Sequence, residues 1–118
     1  MTKLAESLPE VRSVKLTDDG VELNLWVDEK LDYFNGHFPD APILAGVVQL
    51  DWAVKLAATH LVLGSSLVQN VEVLKFQVVI KPNSSITLCL TKKSDHKFTF
   101  SYHSDLGQHA SGRVVLVS

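Results

Sequence analysis

The chain has 118 residues, 46% hydrophobic, 20% charged and 8% aromatic, a balance that suits one globular domain over residues 1–118 and excludes disorder or low-complexity scaffolding. Eleven Lys and Arg against thirteen Asp and Glu leave a formal charge of −2, without the basic excess that nucleic-acid binding demands. The single cysteine, Cys89, permits no internal disulfide, which favours a reducing cytoplasm.

Residues 1–10 carry one Lys, two Glu and a Pro but no apolar run able to act as a signal-peptide core, so no export signal is expected. Residues 11–17 are then expected to pair as a hairpin with the next segment, across the turn chemistry of Asp18-Asp19-Gly20. In that segment Val21, Leu23, Leu25 and Val27 alternate with Glu22, Asn24 and Asp28, the period of a half-buried strand, with Trp26 as the one bulky exception. Residues 31–41 form a loop rich in Gly, Pro, Asn and aromatics.

Residues 41–63 are apolar enough to raise the question of a membrane span, but Gln49, Asp51, Lys55, Thr59 and His60 interrupt them. A buried helix ending near Gly64, as its C′ residue, is the better reading. It is apolar on most of its circumference, and one small sheet covers only one side of a helix. The economical solution is an α+β fold in which an antiparallel sheet wraps one long central helix and a second copy closes the remainder as a symmetric dimer. The strands for that sheet follow: Leu74, Phe76, Val78 and Ile80 on one face, then Ile86, Leu88 and Leu90, then Phe98, Phe100 and Tyr102. Turns are expected at Pro82-Asn83-Ser84-Ser85, Lys93-Ser94-Asp95 and Ser104-Asp105-Leu106-Gly107.

Chemistry concentrates between Tyr33 and Ala53. A His in a Gly- and Pro-stiffened loop, a Gly at a helix start and a carboxylate five residues further on are three groups that an elimination needs. Removing water from a 3-hydroxyacyl thioester takes a base for the C2 proton, an acid for the departing hydroxyl and a donor for the enolate-like oxygen. His37 suits the base, because imidazole is available neutral near pH 7. Asp51 suits the acid, provided apolar surroundings keep a proton on it. The backbone N–H of Gly46 or Val47, unpaired in the first helical turn, suits the donor, with the helix dipole behind it.

The run Gly36-His37-Phe38-Pro39, then Pro42-Ile43 and Gly46-Val47, with Asp51 fourteen residues after the His, resembles the 3-hydroxyacyl-acyl-carrier-protein dehydratases of bacterial fatty-acid synthesis. Lys75-Phe76 with Pro82 extends the likeness weakly over most of the chain. The resemblance implies a hot-dog fold, a catalytic pair of His37 from one subunit and Asp51 from the other, and substrate contacts at Gly46, Val47 and Phe38. It also implies an acyl tunnel at the dimer interface, an acyl carrier protein as the partner that presents the thioester, and no cofactor. Ala45 stands where that family usually has Pro, Pro82-Asn83-Ser84 replaces a Pro-Gly-Asp turn, and Lys55 replaces an amide four residues after the acid. An ammonium there is placed to ion-pair with Asp51. The short N-terminal part and Val48-Gln49-Leu50-Asp51-Trp52-Ala53 look more like the accessory dehydratases of aryl-polyene-type lipid pathways.

Other residues have plainer readings. Trp52 and Tyr33 are packing groups, and Cys89, out of phase with Ile86, Leu88 and Leu90, is a structural thiol. His60, His96, His103 and His109 lie on separate segments without ligand spacing, so no metal site is expected. Lys75, Lys81, Lys92, Lys93, Lys97 and Arg113 form either a solvated face or a patch for an acidic carrier protein. Two other functions fit the same fold: an acyl thioesterase, for which Gly-His-Phe-Pro is the wrong signature, and a non-catalytic carrier-binding subunit in a mixed assembly, which Ala45 and Lys55 would suit.

Overall fold

The computed structural model describes residues 8–31 and 43–118. In chain order the elements are β1 (Glu10–Leu16), β2 (Gly20–Val27), α1 (Gly46–His60), β3 (Val68–Phe76), β4 (Ser84–Ser94), β5 (Lys97–Ser104) and β6 (Gly107–Leu116). The strands form one six-stranded sheet in the order β1-β2-β4-β5-β6-β3, with every neighbouring pair antiparallel. No described helix is long and apolar enough to cross a membrane.

The alternation read from the sequence decides which face holds the core. Val21, Leu23, Leu25 and Val27 of β2, Ile86, Leu88 and Leu90 of β4, and Phe98, Phe100 and Tyr102 of β5 are all buried in one cluster with α1. Successive strand residues point to opposite faces, so Glu22, Asn24 and Trp26 face the other way. Trp26 is no exception once its partner is seen: the Arg12 guanidinium of β1 lies 4.5 Å from its ring centroid, a cation–π contact on the outer face. Gly20 serves a close approach between strands, since a Cβ there would sit 1.8 Å from the Leu90 carbonyl oxygen.

Helix α1 presents Val48, Gln49, Trp52, Ala53, Leu56 and Ala57 to the core, the spacing of one helical stripe. Leu50 and Val54 pack at its margin, while Val47 is 75% exposed. The helix ends at His60, and Gly64 is not its C′ residue. Leu61 turns to extended backbone, and Leu61 and Leu63 pack against the core, so apolar burial ends the helix early. The Gly64 N–H donates instead to the Asp95 carbonyl at the β4–β5 turn.

Two further differences concern the strands. β3 begins at Val68 and ends at Phe76, so Val78 and Ile80 lie beyond it. Val73 has a positive φ of 52°, and the register with β6 shifts between Glu72 and Lys75. The expected common face is therefore broken: Leu74 and Phe76 are 41% and 49% exposed, while Ile80 is buried. β6, absent from the sequence reading, supplies Ala110, Val114 and Leu116 to the core. Its alternation is blurred because Ala110 and Gly112 occupy two of its inward positions.

The turn before β4 depends on Asn83. Its φ of 57° lies in the left-handed region, which Asn tolerates better than most residues. Its side chain accepts from the Glu29 N–H at 3.1 Å and donates to Glu29 Oε1 at 3.0 Å. Asn83→Ala is expected to destabilise the domain by about 1–2 kcal/mol, through the lost bonds and the less tolerant backbone. A chemical-denaturation midpoint unchanged from the parent would refute this account of the turn.

Candidate active site

The entry to α1 is assembled from three directions. The Leu44 N–H donates to the Ile80 carbonyl at 2.7 Å, and Gln49 Nε2 donates to the Leu44 carbonyl at 3.1 Å. From the sheet, the buried Tyr102 hydroxyl donates to the Gln49 carbonyl at 2.6 Å. Burial, and secondarily the nearby Asp51 charge, push the Tyr102 hydroxyl well above its ordinary pKa, so it remains a donor. The Val48 and Gln49 N–H groups both turn back to the Ala45 carbonyl. Helix geometry offers no acceptor to the N–H groups of Gly46 and Val47, leaving them for another partner.

Gly46 is required sterically as well. A Cβ on it would lie 2.7–3.0 Å from the Phe76 ring, so glycine lets the helix start rest on that ring. This contact links two sequence features that are thirty residues apart, the helix-start Gly and the Lys75-Phe76 pair. Beside it opens a cavity of about 390 Å³ whose lining includes Ile43, Gly46, Gln49, Phe76, Val78 and His109.

The cavity is mainly apolar, and Gln49, Gln77 and His109 are the polar side chains on its wall. Gln49 is buried, and its Oε1 has no hydrogen-bond partner among the described residues, an acceptor left over in a desolvated place. The buried His109 has Nδ1 3.0 Å from the Val78 carbonyl, to which it donates, and Nε2 2.6 Å from Ser104 Oγ. Its ring is therefore fixed in place. Nothing in the sequence spacing singles out His109, which meets Val78 only because β6 lies beside the segment after β3. A lone Gln three residues into an apolar helix was the visible signal for Gln49.

Of the residues proposed from sequence, Gly46 lines the cavity, whereas Val47 is exposed and does not. His37 and Phe38 lie outside the described residues. Asp51 is five residues past Gly46, which places it about 140° around the helix. It is absent from the cavity wall. Its Oδ2 lies 3.0 Å from Lys55 Nζ, with both side chains about one-third exposed (34% for Lys55 and 36% for Asp51). An i,i+4 pair of this exposure is worth only about 0.3–0.5 kcal/mol, weak enough to be exchanged for another partner. One chain therefore does not bring Gly46 and Asp51 to a common point. Among the basic residues, Arg113 pairs with Glu72 and Lys92 with Asp95, which takes both out of any free cationic patch.

β3 is the other notable surface. Among the described residues it pairs only with β6, on one side, and along and just after it Val68, Val73, Leu74, Phe76, Val78 and Val79 are all exposed. An apolar sheet edge of this kind invites a further strand.

A family model described as ApeI dehydratase, ApeI-like, matches residues 13–113. Among solved structures, the chain is similar to a chain of the dehydratase heterocomplex ApeI:P from Xenorhabdus doucetiae, with a TM-score of 0.83 and 30% identity, over 93% of this chain and 98% of that one. An uncharacterized protein from Erwinia carotovora subsp. atroseptica is similar at a TM-score of 0.67 and 37% identity, over 92% of each chain. None of the curated proteins matches.

Proposed function

Because this chain belongs to the ApeI-like dehydratase family, we propose that it removes water from a 3-hydroxyacyl thioester held on an acyl carrier protein, giving the trans-2-enoyl thioester. Its fold is the hot-dog fold, an antiparallel six-stranded sheet carrying one helix among the described residues. The observation that carries the proposal is the helix start: Gly46 is seated on Phe76 at the wall of an apolar cavity, with its N–H free of the helix ladder.

In this reading the thioester oxygen sits against the Gly46 N–H, where the helix dipole favours the negative charge that develops as the C2 proton leaves. His37 takes that proton. The hydroxyl leaves C3 as water, with its proton supplied by Asp51 of a second subunit. The angular separation of Gly46 and Asp51 on one helix supports a shared site. The apolar β3 edge supports a hot-dog subunit, a second copy or a related chain, as the pairing partner.

Asp51→Asn keeps the size of the side chain and removes the proton donor. Turnover of a 3-hydroxyacyl carrier protein, followed by mass spectrometry of the enoyl product, is expected to fall more than tenfold. A smaller loss would assign the acid to water or to another residue. The Asp51–Lys55 ion pair favours a second reading, in which this chain is the carrier-binding member of a mixed pair and its partner does the chemistry. Carrier binding without loss of water, alone or as a homodimer, would select that reading. Release of free thiol instead of enoyl product would point to thioester hydrolysis.

A further inference from the structure

On the sheet face opposite the helix, three strands bring together residues that are far apart in sequence. Glu22 of β2 and Cys89 of β4 are directly opposed in the ladder. His103 of β5 stands diagonal to Cys89, two residues beyond its partner Ser101. Cys89 Sγ lies 3.6 Å from Glu22 Oε1 and 3.6 Å from His103 Nε2, and the three donor atoms are all within 4.8 Å of one another. We propose that Glu22, Cys89 and His103 bind one divalent transition-metal ion of the zinc class.

Geometry is the first argument. Tetrahedral zinc, with a bond of about 2.3 Å to sulfur and about 2.0–2.1 Å to nitrogen or oxygen, requires separations of about 3.5 Å from sulfur to each of the other donors. The two observed separations are within about 0.1 Å of that requirement. The donors sit on β2, β4 and β5, interior strands of the sheet, so the backbone holds them in place before any ion arrives. Each side chain is half-buried, which leaves a path for the ion and a fourth position for solvent.

Donor chemistry is the second. A thiolate, an imidazole and a carboxylate match zinc or cobalt, and do not match calcium or magnesium, which take oxygen ligands. Thiolate and carboxylate together neutralise a dication. The second carboxylate oxygen of Glu22 is 3.9 Å from Lys15 Nζ of β1, an ion pair at the margin of the cluster. Without an ion, burial first and then the Glu22 charge and hydrogen bond raise the Cys89 thiol above its usual pKa. The cluster faces away from the cavity at the helix start, and the inference is independent of the dehydratase reading.

The test is a Co²⁺ titration of the chelator-treated full chain. One equivalent is expected to bind, with a thiolate-to-cobalt charge-transfer band and the intense visible bands of a four-coordinate ion, both erased by added Zn²⁺. Cys89→Ser is expected to remove the charge-transfer band, and His103→Gln to weaken binding at least a hundredfold, roughly the upper range for loss of even an outer-sphere contact. Circular dichroism in chelator checks that the variants fold. On the parent protein alone, Zn²⁺ is expected to slow alkylation of Cys89 at least tenfold. Absence of the charge-transfer band, cobalt binding that survives both substitutions, or alkylation indifferent to Zn²⁺ would overturn the proposal.

Discussion

Replacing His37 by Ala is expected to abolish enoyl formation from a 3-hydroxyacyl carrier protein, a loss of about a hundredfold to ten-thousandfold, while the assembly stays folded. The size of the effect follows from the chemistry. A proton on the carbon next to a thioester is weakly acidic, and bulk water at neutral pH is a poor base for it. In the proposed mechanism the imidazole of the Gly36-His37-Phe38-Pro39 run supplies a neutral base near the operating pH, already bound to the enzyme. Alanine removes the base and leaves in place the Gly46 N–H and the described residues of the cavity and the core. Product should therefore vanish while the size-exclusion profile and the melting transition match the parent. Undiminished turnover would sink the dehydratase assignment for this chain.

Trp52→Ala is expected to destabilise the domain by about 3–5 kcal/mol, a large part of the 5–15 kcal/mol that holds a domain of this size together. Trp52 is fully buried and ranks among the largest fully buried side chains. Truncation removes its transfer free energy and leaves a void that a close-packed interior fills only partly. The consequence reaches the site, because Gly46 and Asp51 are placed by the same helix that Trp52 anchors to the sheet. Trp52→Phe, which keeps an aromatic ring in place, is expected to lose much less. Denaturant titration of both variants measures the difference, and similar midpoints would mean that the helix is anchored by other contacts.

The strands whose inward positions hold large side chains were legible in the sequence. In β2, β4 and β5 the period of two is unbroken, and every inward residue named from the pattern is buried. Alternation fails as a guide where small residues or irregular backbone intervene. Ala110 and Gly112 hid β6, and the positive φ of Val73 put Leu74 and Phe76 off the face that their spacing suggested. Helix α1 was recognisable from its apolar density, yet its end was misplaced. Gly64 carries the right residue type for a helix stop, but the burial of Leu61 and Leu63 ended the helix first.

For function, the sequence by itself determined which groups are available. His37, Gly46 and Asp51 carry their chemistry in residue type and spacing, and those can be read from a string of letters. Which groups meet was decided by tertiary structure. Gly46 rests on Phe76, the buried Gln49 has an acceptor without a partner among the described residues, and Asp51, about 140° around the helix from Gly46, pairs with Lys55. Glu22, Cys89 and His103 show this most clearly. They are separated by 67 and 14 residues, distances at which no local pattern links them. Strand pairing sets them within a bond length or two of a common point, because a sheet orders neighbours by its ladder and not by their place along the chain.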